Sequence, residues 1–216
     1  NLKSHIDLVM REGDFYSNGS GSYVELPANQ YISYVDKLRW DMDEESLTLG
    51  DHVSKGEGSE FVSVHPSQDS LSFIAKTAFY SLKDYVIHAN GVDSILVADA
   101  MIFPDSGIIT VAKNAVIKTL YDAKILADNL TQYHTFTNAI VDIKSAHKYF
   151  ASGDYIYFDG LNKIQNIFFK EIKVEEKDTV TIAKSNILAD NIFHIDSFLD
   201  FKGDIYLTAD QKNLTF

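Results

Sequence analysis

The sequence predicts an all-β protein, built as an irregular β-solenoid or as a stack of β-sheets. The pentapeptide Ile125–Asn129 recurs unchanged as Ile187–Asn191, and shorter similar strings occur at Val97–Asp99 and Thr208–Asp210. Stacked strands need apolar side chains inward, small Ala where backbones crowd and a polar residue at the bend. The chain also holds 12 Tyr and 14 Phe but only 3 Pro, a composition typical of strands.

The first element with clear strand periodicity is Lys37–Asp43. Here Leu38, Trp40 and Met42 alternate with charged residues, and a second apolar run follows at Leu47–Leu49. Alternation with period two predicts half-buried strands, so this region reads as a hairpin with one solvated face.

A second hairpin is predicted from Ile172–Val174, an acidic turn over 175–178, and Val180–Ile182. Further short apolar segments, separated by turn residues, follow the same strand-like pattern. They occupy 71–75, 84–88, 95–103, 108–111, 155–158, 167–169 and 205–207.

One segment supports a different fold class, α+β with a helix near 112–130. Apolar residues recur there at steps of four and three, as on the buried face of an amphipathic helix. They are Val116, Leu120, Ala123, Ala127 and Leu130. Periodicity alone leaves this alternative open, while the copy of Ile125–Asn129 in a strand-like region favours strands.

A domain boundary is predicted in the segment 51–60, where Gly, Ser and charged residues are concentrated. Residues 1–58 would form an N-terminal β segment or cap, and residues 59–216 a β-repeat region. The start at Asn1 and the apolar end at Leu214–Phe216 suggest a piece cut from a longer chain.

Composition narrows the range of partners. The chain has 216 residues, 45% of them hydrophobic, which is enough for a core, and a formal net charge of -12. This charge repels phosphate backbones and anionic headgroups, so nucleic acid and membrane surfaces are poor partners. Cysteine is absent, which excludes disulfides and thiolate metal sites.

Motifs for common chemistry are missing from the sequence. The seven histidines form neither a His-x-His pair nor a His-Glu-x-x-His motif, so no metal site is expected. There is no Gly-x-Ser-x-Gly nucleophile motif, and Gly56-Glu57-Gly58 lacks the features of a nucleotide loop. No cofactor is therefore expected.

Three aspartates are candidate catalytic residues: Asp99, Asp128 and Asp190 all follow Ala at the end of an apolar run. Two carboxyl groups at suitable separation suffice for glycoside hydrolysis, and strands stacked in register could align the three. The alternative is structural, because an Asp in this position commonly accepts hydrogen bonds from turn amides.

Aromatic residues on predicted strands are candidate ligand-binding residues. Tyr155, Tyr157 and Tyr206 could stack on sugars or on a partner surface if their rings point outward. The alternative is that these rings fill the core or cover neighbouring strands.

Three strings carry a family resemblance: Ser63–Phe73, Ile95–Pro104 and Ser152–Tyr157. Through them Ser59–Phe216 resembles a repeat region of very large cell-envelope proteins of Gram-negative bacteria. The resemblance implies extended β architecture and an envelope location, periplasm or surface, without an established activity. The alternating Gly-Asp-aromatic runs also resemble the stacked-sheet domains that transport lipopolysaccharide. Residues 1–58 match neither pattern.

The favoured function is therefore a non-enzymatic structural or adhesive β-repeat fragment of a larger cell-envelope protein. Its partners would be further repeats of the same parent chain, a glycan or an envelope protein, and open sheet edges could form an edge-to-edge homodimer. Two alternatives remain: a polysaccharide lyase or hydrolase on a β-helix scaffold, and a carrier of a hydrophobic ligand such as a lipid, which would need an apolar groove between sheets.

Overall fold

The computed structural model of the chain describes residues 2–17, 22–50, 58–174, 179–188, 192–196 and 198–216. It is all-β, with 61% strand and 3% helix, so the predicted fold class is confirmed at that level. The helical part consists of the short 3-10 turns Pro66–Gln68 and Asp105–Gly107. Most of the predicted linker and the acidic turn over 175–178 lie outside the described residues.

The strands follow one another with short connections. In the first part of the chain they are β1 (Leu2–Asp7), β2 (Glu12–Ser17), β3 (Tyr23–Leu26), β4 (Tyr31–Tyr34), β5 (Lys37–Asp41), β6 (Ser46–Leu49), β7 (Ser59–Ser63), β8 (Ser72–Ala75), β9 (Thr77–Ser81) and β10 (Val86–Asn90). The remainder are β11 (Ile95–Val97), β12 (Ala100–Phe103), β13 (Ile108–Val111), β14 (Leu120–Ala127), β15 (His134–Ser145), β16 (Lys148–Phe158), β17 (Ile164–Val174), β18 (Ile182–Ile187), β19 (His194–Asp196), β20 (Leu199–Asp200) and β21 (Gly203–Thr208).

The chain divides into two compact units. One comprises Asn1–Ile95 and Ser106–Lys118, and the other comprises Leu96–Asp105 and Thr119–Phe216. The boundary predicted between residues 58 and 59 falls inside the first unit, where β7 pairs with β4.

The first unit places successive hairpins alternately in two antiparallel sheets. Hairpins β1–β2, β5–β6 and β9–β10 lie in a seven-stranded sheet of order β1-β2-β5-β6-β9-β10-β13, and hairpins β3–β4 and β7–β8 form a four-stranded sheet. Buried side chains from both sheets supply the core, among them Tyr31, Phe61, Leu49 and Ile87. The predicted hairpin over 37–49 is confirmed as β5–β6.

The three hairpins of the seven-stranded sheet share a turn geometry. Asp7 Oδ1 accepts hydrogen bonds from the amides of Val9 and Met10, Asp41 Oδ1 accepts from Asp43 and Glu44, and Ser81 Oγ accepts from Asp84. The residue four places after each acceptor has a left-handed backbone: Arg11 (φ 54°), Glu45 (φ 49°) and Tyr85 (φ 58°). A short polar side chain at the first position of such turns satisfies amides that the ladder leaves free.

Residues 31–49 and 71–89 share their strand order and nearly the same alternation of buried and exposed positions. Tyr31 and Leu71 are both buried at the start, and Leu49 and Ala89 are both buried at the end. The two stretches are offset by 40 residues and have no identical residue at equivalent positions.

The second unit is built on an eight-stranded antiparallel sheet of order β11-β12-β14-β15-β16-β17-β18-β21. Strands β19 and β20, which come between β18 and β21 in the chain, form a separate two-stranded sheet. From β14 to β18 each strand pairs with the next strand in the chain. Register shifts interrupt the pairings of β14 through β17, and such bulges increase twist and allow a sheet to curl.

The helix predicted as an alternative near 112–130 is wrong, because β14 occupies 120–127. A bulge explains the misleading spacing. Asp122 has φ 52°, and the register shifts between Leu120 and Ala123, so both side chains are buried three residues apart. Beyond the bulge every second residue is buried, as at Ala123, Ile125 and Ala127. Ala123 and Ala127 are therefore four residues apart, the same spacing as two residues on one face of a helix.

Candidate functional site

The structure brings Asp99 and Asp128 together at the ends of two neighbouring strands of the eight-stranded sheet. Asp99 lies in the turn between β11 and β12, and Asp128 directly follows β14. Because β12 and β14 pair antiparallel, with Met101 opposite Leu126, the start of one strand lies beside the end of the other. The amide of Asn129 donates to the carbonyl of Asp99 at 2.7 Å. The third candidate, Asp190, lies outside the described residues.

Both carboxylate oxygens of Asp99 accept hydrogen bonds from Thr181. The amide of Thr181 donates to Oδ2 at 2.8 Å, and its hydroxyl donates to Oδ1 at 2.6 Å. Thr181 is fully buried, so its amide and hydroxyl depend on protein acceptors. Asp99 therefore holds the segment that leads into β18.

A third side chain extends this network into the core. The hydroxyl oxygen of Tyr149 lies 2.9 Å from Thr181 Oγ1. Since the single hydroxyl proton of Thr181 points at Asp99, Tyr149 is the donor in this bond. Burial raises the pKa of Tyr149, which keeps its proton on the hydroxyl. Tyr149 therefore donates to Thr181, and Thr181 donates to Asp99.

The electrostatics of Asp99 reflect opposing effects. Burial raises its pKa most, the two Thr181 hydrogen bonds lower it, and the negative charge of Asp128 raises it again. The net direction is upward. A raised carboxyl pKa marks catalytic acids, but structural networks that remove a carboxylate from water produce the same shift.

Asp128 closes the turn that follows β14. It is buried, and its Oδ1 accepts from the amides of Leu130 at 2.8 Å and Thr131 at 3.3 Å. Its own φ is 61°, a conformation that Asp tolerates better than most residues. This bonding repeats the pattern at Asp7 and Asp41 of the first unit.

Further hydrogen bonds connect the same turns to the end of β21. Thr131 Oγ1 donates to the carbonyl of Ala209 at 3.2 Å, and the amide of Ala209 donates to the carbonyl of Thr181 at 2.9 Å. We call the set Asp99, Asp128, Thr131, His134, Tyr149 and Thr181 the polar seam. It joins the β11–β12 and β14–β15 turns to residues that flank β18 and β21.

Within the polar seam, His134 forms a hydrogen bond with Tyr155. Its Nε2 lies 2.7 Å from the carbonyl of Gln211, and its Nδ1 lies 3.0 Å from the Tyr155 hydroxyl. A carbonyl only accepts, so Nε2 donates to Gln211, and Nδ1 shares a hydrogen bond with the Tyr155 hydroxyl. The ring of Tyr155 packs against Phe136 and Phe169, with centroids 5.7 and 5.8 Å away. Tyr155 thus faces the core side of β16.

The other two candidate tyrosines have different surroundings. Tyr157 lies on the same side of β16 as Tyr155, and its ring packs against Phe193 and Phe216. Tyr206 points to the opposite, solvent side, where Lys184 Nζ lies 5.1 Å from its ring centroid. Tyr206 lines a surface groove, which measures about 260 Å³ and includes Lys173, Ile182 and Lys184. The structure therefore does not assemble the three tyrosines into one site.

Four large apolar side chains that point outward on β16 and β17 are not among the three candidate tyrosines. They are Ile156, Phe158, Ile164 and Phe168, which we call the apolar patch. A signal was available in Gly153, which shares the inward side with Tyr155. A Cβ there would approach the Ala139 Cβ to 3.2 Å, and glycine inside a strand indicates such close approach.

Two kinds of feature are missing from the part of the chain that the structure describes. Three or more His, Asp or Glu side chains never cluster closely enough there to hold a metal ion. Within those same residues, no helix has the length and hydropathy needed to cross a membrane.

Comparisons of the chain with family models, with curated proteins and with solved structures found no match. No relative therefore lends a function to the polar seam or to the apolar patch.

Proposed function

We propose that the chain is a non-enzymatic structural or adhesive part of a larger cell-envelope protein, and that it packs against further β-structure of its own kind. Envelope location follows from the resemblance of Ser59–Phe216 to envelope repeat regions. The proposed partners are further repeats of the parent chain. A second copy of this chain serves as such a repeat in the test below. The net charge of -12 disfavours nucleic acid as a partner.

The apolar patch is the observation that carries this proposal. Its four side chains are 47%, 58%, 64% and 51% exposed in the order Ile156, Phe158, Ile164, Phe168. Phe158 lies directly opposite Ile164, while Ile156 and Phe168 lie diagonally across the same strand pair. Contiguous exposed apolar surface of this kind commonly marks a protein interaction site.

A second copy fits the patch for reasons of geometry. The patch lies on an outward sheet face, and two such faces can meet with the same residues on both sides, as in a two-fold symmetric interface. Exposed aromatic and aliphatic side chains from each copy would then leave water together. Two polar residues share this face: Asn166 lies opposite Ile156, and Asp154 lies opposite Phe168.

The architecture of the first unit supports the repeat part of the proposal. Its hairpins alternate between two sheets, and residues 31–49 and 71–89 share their burial pattern. Added pairs of hairpins would extend both sheets without altering those already present. We propose this pair of hairpins as the repeating unit, in place of the Ala-Asp pentapeptide.

The bonding of the polar seam favours a non-enzymatic role. A glycoside hydrolase needs one carboxyl group free to protonate the leaving group and another free to act on the sugar or on water. Asp99 has both oxygens bonded to Thr181, and Asp128 is bonded to its own turn. These carboxylates hold segments of the sheet in place.

The test is a concentration series by sedimentation velocity on the intact chain. We expect reversible self-association that weakens when Phe158→Thr and Phe168→Thr are combined, since Thr keeps strand propensity and removes apolar surface. Tyr121→Thr is the matched control, because Tyr121 is 64% exposed on β14 outside the patch. A chain that stays monomeric at every concentration, or a control that dissociates equally, would contradict the proposal.

A further inference from the structure

The seven-stranded sheet of the first unit has an open edge at β1. Within the described part of the chain, β1 pairs with β2 alone, and residues 3–6 are all exposed. Two other outer strands are covered by short segments. The amide of Lys118 donates to the carbonyl of Thr110 in β13, and Thr215 exchanges two hydrogen bonds with Tyr206 in β21. An outer strand that stays uncovered can pair with a strand of another chain.

The backbone groups that β1 presents at this edge can be identified from β2. The amide of Ser17 points away from β1, because it donates to the carbonyl of the residue that precedes β5, at 2.9 Å. Backbone groups of consecutive residues point to opposite sides of a strand, so Tyr16 bonds toward β1. The register is unbroken, with Lys3 opposite Tyr16. Odd-numbered residues of β1 therefore bond to β2, whereas Ser4 and Ile6 direct their N–H and C=O groups outward.

The turn that follows β1 is open on the same side. In the β5–β6 and β9–β10 turns, the first residue donates its amide to the preceding turn: Met42 to the carbonyl of Arg11, and Leu82 to the carbonyl of Glu45. Both side chains are half-buried. Leu8 holds the same position in the β1–β2 turn and is 78% exposed. A strand placed beside β1 would shield Leu8 as the preceding turns shield Met42 and Leu82.

We propose that β1 pairs antiparallel with β1 of a second copy, so that the two seven-stranded sheets continue as one. Charge selects the register. With His5 opposite His5 of the second copy on the two-fold axis, Lys3 lies opposite Asp7 of the second copy, and this contact occurs twice. Ser4 and Ile6 then exchange backbone hydrogen bonds with Ile6 and Ser4 of the second copy. The interface lies in the first unit and does not depend on the apolar patch.

The two neighbouring symmetric registers match charge less well. An axis at Ser4 would place Lys3 opposite His5, which brings two basic side chains together. An axis at Ile6 would leave Lys3 opposite the turn of the second copy. In the proposed register Asp7 keeps its own turn, because Oδ1 accepts from the turn amides and a carboxylate has a second oxygen for the ammonium group.

Residue-resolved amide hydrogen exchange on the intact chain, at rising protein concentration, tests the pairing. We expect the amides of Ser4 and Ile6 to become protected as the concentration rises. Those of Lys3 and His5 are expected to be protected throughout, because they bond to β2. Weak protection of Ser4 and Ile6 at every concentration would overturn the proposal.

The first variant removes an outward donor. Proline has no N–H and is tolerated on an outer strand where the N–H faces solvent, so Ser4→Pro is expected to weaken dimer formation about tenfold in sedimentation velocity. Ser4→Ala is the matched control, because it keeps the N–H and removes only the hydroxyl. Equal dimer formation by Ser4→Pro and Ser4→Ala would overturn the pairing.

The second variant tests the register. Lys3→Asp turns both symmetric contacts with Asp7 from attraction into repulsion, and we expect about tenfold weaker dimer formation. Lys83→Asp is the matched control, because it makes the same charge change at an exposed turn position outside the interface. Equal effects of the two changes would overturn the register. If Ser4→Pro does not fold, as judged by circular dichroism, this comparison still decides.

The same measurements separate this interface from the function proposed above. In the combined Phe158→Thr, Phe168→Thr variant we expect the concentration-dependent protection of Ser4 and Ile6 to persist, and its loss would overturn a separate interface at β1. Failure of the apolar patch would leave self-association unchanged in that variant. Failure of the β1 interface would leave self-association unchanged in Ser4→Pro.

Discussion

Asp99 and Thr181 are 82 residues apart in the sequence and are joined by two hydrogen bonds, at 2.6 and 2.8 Å. The pair connects the β11–β12 turn to the residue that precedes β18. Tyr149 reaches the same hydroxyl from the core. Hydrogen bonds to a charged acceptor are stronger than neutral ones, so this contact is well suited to holding distant parts of a curled sheet together.

Replacing Asp99 tests its structural role. Asp99→Asn offers one acceptor oxygen in place of two and leaves either the amide or the hydroxyl of buried Thr181 without a partner. We expect the free energy of unfolding to fall by about 1–3 kcal/mol in urea titrations. The control Asp93→Asn alters an exposed carboxylate and is expected to stay within about 0.5 kcal/mol of the parent. Equal stability of Asp99→Asn and the parent would contradict the assignment.

Tyr149→Phe tests whether the network acts as a unit. Loss of the donor to Thr181 Oγ1 is expected to cost about 1 kcal/mol. In a double-mutant cycle with Asp99→Asn, we expect a coupling energy of about 0.5 kcal/mol or more, because both residues bond the same hydroxyl. Tyr121→Phe, at an exposed position, controls for loss of a phenol oxygen. Strict additivity of the two changes would show that the bonds are independent.

The raised pKa of Asp99 predicts a pH dependence with a definite sign. The folded state keeps the Asp99 proton to a higher pH than the unfolded chain, so the contribution of this group to stability falls as pH rises above 3.8. The stability difference between the parent and Asp99→Asn should therefore shrink from about pH 4 to about pH 7. Urea titrations at several pH values measure this difference. A gap that widens over the same range would reverse the sign and contradict the burial argument.

Gly153→Ala tests the packing of β15 against β16. The added Cβ would lie 3.2 Å from both the Ala139 Cβ and the Thr137 carbonyl oxygen. We expect a loss of about 1–3 kcal/mol in the free energy of unfolding, as for an overpacked core. Adding Ala139→Gly should restore part of the loss. If Gly153→Ala is neutral, the two strands do not approach as closely as described.

The all-β class and the β5–β6 hairpin were predictable because apolar and charged residues alternate along short segments, as around Leu38 and Trp40. Such a pattern can be read without knowing which strands pair. The false helix near 112–130 arose from the bulge at Asp122, which changes the spacing of buried side chains from two to three. Bulges depend on pairing with a distant strand, and a single sequence does not reveal that pairing.

The structural similarity of residues 31–49 and 71–89 could not be found by matching letters. Asp41 corresponds to Ser81 and Leu49 to Ala89, so turn bonding and burial persist at these positions while residue identities change. The recurrent Ala-Asp string was visible, but its second copy lies partly outside the described residues.

The candidate site was predictable only in part. An Asp after a strand is recognisable as a turn acceptor, and Asp128 has that role. The partner of Asp99 was not predictable, since Thr181 lies 82 residues away and in no motif. The orientation of the rings on β16 was left open by the sequence, because alternation shows only that Tyr157 and Phe158 point to opposite sides. In the structure Tyr157 packs against Phe193 and Phe158 is exposed.

Polysaccharide turnover tests the non-enzymatic proposal most directly. The parent chain and the combined Asp99→Asn, Asp128→Asn variant are incubated with neutral and acidic polysaccharides, and new reducing ends and unsaturated sugar products are quantified. We expect no product from either protein and a lower unfolding midpoint for the variant. Product release by the parent that disappears in a variant of unchanged stability would contradict the account and identify the two carboxylates as catalytic.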